Sequence, residues 1–185
     1  RMLRTWLAPI EDWLAAGEGP HNALAPLRRL PVIDADLHDP SIPGKCGPMP
    51  AEQAPWPANA SAAYRWGVAY VAEGSQLGGA VLYQRLSAQL APHPLGYLRG
   101  EAAGPGPRWR SFMLALKENV RSEEEVADAC AGACDAFDRL QLAVTVHDGT
   151  TVAAMVRFPI EVNIGRARVP VATPAEFVAR YDQIV

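Results

Sequence analysis

Apolar side chains recur at the three- and four-residue spacing of one helix face through most of residues 1–141. This spacing predicts helices over residues 3–16, 23–37, 58–90, 108–120 and 122–141. Pro26 and Pro31 interrupt the second of these segments, and the proline-dense stretch 39–57 is predicted to be a loop. The pattern therefore predicts a helical domain over residues 1–141.

After residue 142 the pattern changes to the two-residue alternation of a strand. Val152 to Ile164 is predicted to be a half-buried strand, and a turn at Gly165 leads to a second strand over residues 168–172. Thr173-Pro-Ala-Glu176 has the form of a capping box and begins a last helix. Residues 142–185 are thus predicted to form a helix, β-hairpin and helix extension, too small to bury a core alone.

The helix that follows the capping box Ser122-Glu-Glu-Glu125 carries two of the three cysteines. Its buried stripe is predicted to comprise Val126, Cys130, Ala133, Cys134 and Phe137. The cysteines are interpreted as small buried hydrophobic residues, because a two-thiolate metal site there would lack further ligands.

Composition and charge narrow the class of protein. The chain is 49% hydrophobic with a net charge of -3, which is typical of a soluble globular protein and gives no basic surface for nucleic acid. No apolar run approaches the roughly 20 residues that span a bilayer, and the first residues do not resemble a signal peptide. The odd number of cysteines favours a reducing compartment, so we expect a cytoplasmic protein without membrane partners.

One stretch, Tyr70 to Tyr83, is unusual because three glycines interrupt an otherwise helical pattern. Each glycine inside a helix costs about 1 kcal/mol relative to alanine. Gly74 and Gly78 share one helix face, and Gly79 widens the bare patch and predicts a bend. Such a surface suits either close packing of another helix or contact with a planar cofactor, and the pattern leaves both open.

Polar residues near the glycines favour the cofactor interpretation. Ser75 and Gln76 lie between the glycines on a helix that is otherwise apolar. The glycine- and proline-rich segment 100–107 leads to Arg108 and Arg110, which suit the carboxylate tails of a cofactor or, alternatively, form a solvated helix face.

The segment Tyr70-Val-Ala-Glu-Gly-Ser-Gln-Leu-Gly-Gly79 resembles the distal-helix signature of bacterial heme oxygenases, especially those encoded beside bacteriophytochromes. Ile10 to Leu14, Arg28 to Leu37 and Pro107 to Phe112 fall in the order of that family, so the resemblance covers about residues 1–141. It implies a mainly α fold, a heme-oxygenase-like helical bundle, here with a small C-terminal β-hairpin plus helix extension. Heme would lie between a proximal and a distal helix.

The resemblance also implies an activity, cleavage of heme with O2 to biliverdin, CO and iron. Electrons would come from an external donor such as a ferredoxin or reductase, and a phytochrome would be a candidate acceptor of biliverdin. Gly74, Gly78 and Gly79 would form the flexible distal segment over the heme. Ser75 would belong to the distal polar network that supplies protons.

Two further expectations concern the groups that hold heme. Arg108 or Arg110 would bind the heme propionates. The proximal histidine of the family lies on a helix that precedes the segment matching Leu3 to Leu14, so its position is not present here and the metal ligand stays unknown. The four histidines that are present are interpreted as surface or capping residues; they are His21, His38, His93 and His147.

The absent position leaves two alternatives beside the enzyme. The chain would be a non-catalytic helical module that binds heme, a bilin or a partner protein, or a truncated fusion product without native activity. The second alternative draws on residues 142–185, whose strands and last helix weakly resemble the start of an NTF2-like domain and would then be a partial α+β domain.

Overall fold

A computed structural model of the chain describes residues 2–26, 28–42, 54–145, 158–165 and 167–184. The first seven helices are α1 Met2–Ala15, α2 Pro20–Ala23, α3 Leu30–Leu37, α4 Ala62–Leu86, α5 Gly96–Arg99, α6 Gly106–Asn119 and α7 Glu123–Thr145. They are followed by β1 Ile160–Ile164, β2 Ala167–Val171, α8 Pro174–Ala179 and α9 Tyr181–Ile184. The predicted mainly α fold with a small hairpin and a last helix is confirmed.

The helix starts follow from local capping. Ser61 caps the start of α4, because its Oγ accepts a hydrogen bond from the Tyr64 amide at 3.0 Å. At α7 the Glu125 amide donates to Ser122 Oγ, and the Ser122 amide donates to the Glu125 carboxylate. The short helix α5 was not predicted, because four residues between prolines and Gly100 show no periodicity. Of the predicted first strand, residues 152–157 lie outside the described part of the chain.

The main core lies between α1, α3, α4 and α7. Trp6 and Ile10 of α1 and Val68 of α4 are fully buried there. The indole of Trp6 donates a hydrogen bond to the Ala136 carbonyl of α7 at 3.1 Å, so its one polar atom is satisfied inside the core. The apolar face of α1 predicted from its spacing is therefore the face that builds the core.

The helices α4 and α7 cross with their backbones in contact, and two glycines make this possible. A Cβ on Gly67 would lie 1.8 Å from the Ala129 carbonyl oxygen, and a Cβ on Gly132 would lie 2.2 Å from that of Tyr64. Both distances are far below any van der Waals contact. Only glycine is therefore compatible with this crossing.

The predicted buried stripe of α7 was wrong for four of its five members. Val126 is 47% and Phe137 is 55% exposed, and Cys130 and Cys134 are exposed as well. The residues that face α4 are small instead; among them are Ala129, Gly132, Ala133 and Ala136. Because the two backbones touch, the larger apolar side chains of α7 have no room between the helices and lie on its outer side.

The C-terminal residues form a small cluster of their own. β1 and β2 pair antiparallel, with Ile160 opposite Val171. Val171, Phe177 and Tyr181 are buried against each other and against Phe158. The Thr173 hydroxyl caps α8 by accepting from the Glu176 amide, as the sequence predicted. The division of the chain near residue 142 stays a prediction.

Gly67→Ala and Gly132→Ala are expected to lower the free energy of unfolding by about 3 kcal/mol each, because the added methyl groups meet backbone rather than movable side chains. Gly78→Ala is the matched control, since nothing described lies within 4 Å of its Cβ. It should gain about 1 kcal/mol from helix propensity. Urea unfolding monitored by circular dichroism measures all three, and equal effects at Gly67 and Gly78 would contradict the assignment.

Candidate functional site

The glycine-rich stretch lies inside α4, which is helical without interruption from Ala62 to Leu86. A Cβ on Gly74 would lie 3.6 Å from the Trp109 ring, and one on Gly79 would lie 3.7 Å from the Leu98 carbonyl oxygen; both are ordinary contacts. At Gly78 no described atom lies within 4 Å. Close helix packing therefore explains Gly67 but not these three glycines.

One face of α4 is apolar and exposed where the glycines lie. Tyr70, Leu77 and Val81 share this face with Gly78, and all of them are exposed. We call these four residues the open face of α4. Exposed apolar residues that adjoin one another mark a surface for a ligand or partner. Among the described residues, none lies within 4 Å of a Cβ placed on Gly78 in this face.

Ser75 lies at the edge of the open face and is bonded to two groups. Its hydroxyl donates to the Ala72 carbonyl oxygen at 2.7 Å and lies 3.3 Å from the hydroxyl of Tyr97 in α5. The predicted polar residue is therefore placed between the glycines and a buried tyrosine. The structure brings Ser75, Gly74, Gly78 and Gly79 together on neighbouring turns of one helix.

Glu73, the residue before Gly74, is the centre of a buried ion-pair cluster. Its side chain is 12% exposed, and it pairs with the 8% exposed Arg29 and with Arg108. One carboxylate oxygen accepts from Arg29 Nη2 at 2.7 Å and Arg108 Nε at 2.8 Å, and the other accepts from Arg108 Nη2 at 2.7 Å. The cluster ties α4 to α6 and to the residue that precedes α3.

Glu73 and Arg108 of this cluster shift each other's pKa values toward the charged forms, although burial opposes this. Burial alone would raise the pKa of the Glu73 carboxyl, but the hydrogen bonds from Arg108 and Arg29 and their positive charges outweigh it and hold that pKa below its ordinary value. The hydrogen bonds to Glu73 also raise the pKa of the Arg108 guanidinium. Glu73 and Arg108 therefore form an ion pair at neutral pH.

The two predicted carboxylate-binding arginines differ in their environment. All three guanidinium nitrogens of Arg108 already donate, two to Glu73 and Nη1 to the Ala25 carbonyl at 3.2 Å. Arg110 is exposed, and its position two residues further along α6 turns it away from Arg108. The structure therefore does not bring the two side chains together. Arg85 is also exposed and continues the open face one turn beyond Val81.

Two cavities border the ion-pair cluster on either side. One lies between α1, α2, α4 and α6 and has mainly apolar walls, with His21 among its lining residues. The other is bordered by α4, α6 and the segment 98–105. Arg29, Glu73 and Arg108 line both cavities. The cluster therefore separates two spaces behind the glycine-rich half of α4.

The histidines in the described ranges take local roles or line the cavity. His38 Nδ1 lies 2.7 Å from the Asp34 carbonyl oxygen, and His93 bonds to the Leu95 amide and the Asp36 carbonyl. His147 lies outside the described residues. Within the part of the chain that is described, no group of three histidine, cysteine or acidic side chains converges to hold a metal ion.

The sequence contained a signal for Glu73 that the predictions did not use. An acidic residue inside a largely apolar helix needs a cation when it is buried, and Arg28-Arg29 and Arg108 lay in the other matching segments. Tyr97 had no such signal, because its contact with Ser75 depends on the path of the chain from α4 to α5.

The fold and the site define a helical protein with an open, glycine-bearing helix face beside a buried ion-pair cluster. The chain is 34% identical to the heme oxygenase of Xanthomonas campestris pv. campestris (strain 8004) over 160 residues, which are 85% of this chain and 86% of that protein. At this coverage the family is established: the chain belongs to the heme oxygenase family, as its glycine segment indicated.

A second relative has the same degree of identity over a shorter stretch. Heme oxygenase PigA of Pseudomonas aeruginosa is 34% identical over 118 residues, which are 63% of this chain and 58% of that protein. No protein-family model matches the chain, and no solved structure matches it. Of the helices within the described ranges, none is long and apolar enough to cross a membrane.

Glu73→Gln is expected to lower the free energy of unfolding by about 3 kcal/mol at pH 7, because it leaves the buried Arg29 and the partly buried Arg108 without their carboxylate partner. The matched control is Asp12→Asn, which breaks the exposed 2.7 Å pair with Arg28 and should cost less than about 1 kcal/mol. Chemical unfolding of both variants beside the parent protein measures the difference.

The stability difference between the parent protein and Glu73→Gln is expected to depend on pH. Because the folded-state pKa of Glu73 is below its ordinary value of 4.5, its contribution is complete above that pH and is lost as the pH falls through the lower folded-state value. The stability gap between the parent protein and Glu73→Gln should therefore narrow in acid. A gap that stays constant from pH 7 to pH 3 would contradict the ionised cluster.

Proposed function

We propose that this protein is a heme-degrading oxygenase that binds heme against the open face of α4 and cleaves it with O2 to biliverdin, CO and iron. The observation that carries the proposal is the exposed apolar surface centred on Gly78, which no described residue covers. Membership in the heme oxygenase family supports heme as the ligand of that surface.

The residues of the open face suit a flat porphyrin. Gly78 has no side chain, so a ring can approach the helix backbone there to van der Waals distance. Leu77 and Val81 flank it with apolar groups that lose contact with water when the ring binds. Gly74 lies against the Trp109 ring and Gly79 is buried against Leu98, so the arrangement supports the predicted role in the distal wall for Gly78 and gives no support for Gly79.

We assign recognition of the heme carboxylates to Arg110 or Arg85 rather than to Arg108. The guanidinium nitrogens of Arg108 donate hydrogen bonds to Glu73 and to the Ala25 carbonyl. If Arg108 bound a heme carboxylate instead, the Glu73 carboxylate would lose its partner. Arg110 and Arg85 are exposed, so they can pair with a ligand at little cost. Arg108 then acts indirectly, by holding the helix that carries the site.

The reaction needs electrons, and we propose an external donor such as a ferredoxin or reductase. A phytochrome is the proposed acceptor of biliverdin, on the strength of the resemblance of the glycine segment to enzymes encoded beside bacteriophytochromes. Both partners are proposed from the family resemblance, and a cytoplasmic location is proposed from the odd number of cysteines.

A second candidate is a helical module that binds heme or a bilin without turnover. It is favoured by the environment of Ser75, whose hydroxyl proton is already donated to the Ala72 carbonyl. If that bond persists with heme bound, Ser75 cannot donate a proton to the reacting oxygen.

Titrating the full natural protein with hemin should give a saturable Soret band at one heme per chain. Gly78→Leu is expected to weaken binding by at least about tenfold, because its side chain occupies the space reserved for the ring; a loss of 1.4 kcal/mol corresponds to that factor. Val126→Leu is the control, since Val126 is also an exposed helix residue but lies on α7.

The outcomes separate the two candidates. Formation of biliverdin from the complex on addition of reductant and O2, followed by its absorption spectrum, would establish the enzyme. Saturable binding without biliverdin would establish the binding module. Absence of saturable binding in the natural protein would overturn both.

A further inference from the structure

The hydroxyl groups of Tyr97 and Ser75 form a directed chain of hydrogen bonds. Ser75 Oγ donates its one proton to the Ala72 carbonyl oxygen at 2.7 Å. Because a serine hydroxyl has a single proton, the 3.3 Å contact with the Tyr97 hydroxyl requires that the tyrosine donates and the serine accepts. The direction therefore runs from Tyr97 to Ser75 to the backbone of α4.

Tyr97 is held firmly on its own side of this chain. Its side chain is 7% exposed and belongs to the main core. Asp36 of α3 accepts the amide of Gly96 on one carboxylate oxygen and the amide of Tyr97 on the other, both at 2.8 Å. The first turn of α5 is thus fixed to α3 by a side chain that satisfies two otherwise unpaired amides.

A histidine completes this attachment from the loop before α5. His93 Nδ1 accepts from the Leu95 amide at 3.0 Å, so the proton of the ring must be on Nε2, which donates to the Asp36 carbonyl at 3.0 Å. Leu95 itself has a φ of 49°, a left-handed conformation that is unfavourable for a leucine. Such strain persists only where the surroundings impose it.

The position of Ser75 gives this chain a functional meaning. Ser75 lies at the edge of the open face, between Gly74 and Gly78 in the sequence. Because these glycines have no side chains, they cannot restrain the Ser75 rotamer by packing. The hydrogen bonds to Tyr97 and Ala72 restrain it instead. With its proton donated to Ala72, the hydroxyl offers a ligand on the open face a lone pair and no proton.

We propose that Tyr97 is a positioning residue that fixes the Ser75 hydroxyl as a hydrogen-bond acceptor at the edge of the open face. The inference deepens the proposed function, because the group that Ser75 contacts would be a hydrogen-bond donor beside bound heme. A water molecule or a protonated ligand fits this requirement, and a ligand that only accepts hydrogen bonds does not.

A double-mutant cycle without heme tests the chain of hydrogen bonds itself. Tyr97→Phe should lower the folding equilibrium constant by about fivefold, the contribution of one net hydrogen bond, and Ser75→Ala by more, because it also removes the bond to Ala72. In the Ser75→Ala background, Tyr97→Phe should have nearly no further effect, because the two residues act through one contact. Tyr83→Phe is the control, because Tyr83 is a tyrosine of α4 that takes no part in these two hydrogen bonds.

A second measurement tests positioning at the site rather than stability. In the hemin complex, Tyr97→Phe should leave the hemin dissociation constant within about twofold of that of the parent protein. The visible absorption of the complex is then followed as a function of pH. Tyr97→Phe should shift the midpoint of this pH dependence in the same direction as Ser75→Ala does. The double variant should shift it no further than Ser75→Ala alone. Both variants remove the bond between Tyr97 and Ser75, and Ser75→Ala also removes the bond to Ala72, so the test does not depend on one substitution.

Additive effects of the two substitutions in the unfolding cycle, or a Tyr97→Phe complex whose pH midpoint equals that of the parent protein, would overturn the proposal. Failure of the parent protein to bind hemin would overturn the proposed function instead. In that case the unfolding cycle, which needs no hemin, still decides whether Tyr97 positions Ser75.

Discussion

The contact between the backbones of α4 and α7 is the constraint on which the helical domain depends. It exists because Gly67 and Gly132 have no side chain at the crossing. At this distance only small residues fit between the helices, so the larger apolar residues of α7 lie outside. The buried residues of α4 accordingly run from Ala63 to Ala72, with Gly79 as the one later exception.

The second half of α4 is held in a different way. Glycines offer no side chains for packing, so polar contacts fix this half from both flanks. Glu73 attaches it to Arg29 and Arg108 on one side, and Ser75 attaches it to Tyr97 on the other. Hydrogen bonds and ion pairs fix a helix through a few atoms in a defined geometry. They therefore leave the remaining face of the helix uncovered. Under the proposed function, in which this face admits a flat ligand, support of this kind is an advantage.

Most of the fold was readable from local patterns, because helix periodicity and capping are local properties. Ser122 and Glu125 marked the start of α7 correctly. Which face of α7 is buried was not readable, since that depends on how closely α4 approaches it. The same limit applies to Tyr97, which is brought to Ser75 by the tertiary path of the chain. The similarity itself was underestimated: 160 aligned residues exceed the first 141, so it continues into the residues that follow.

The surroundings of Gly78 have a consequence for how this family can diverge. Folding does not require glycine at this position, because an added Cβ meets no described atom within 4 Å and helix propensity would even favour alanine. Selection for a stable protein alone would therefore allow the glycine to be replaced by alanine. Under the proposed function, the need to keep the surface flat opposes that change. The residue at position 78 would then record whether a descendant still uses the surface, independently of whether it still folds.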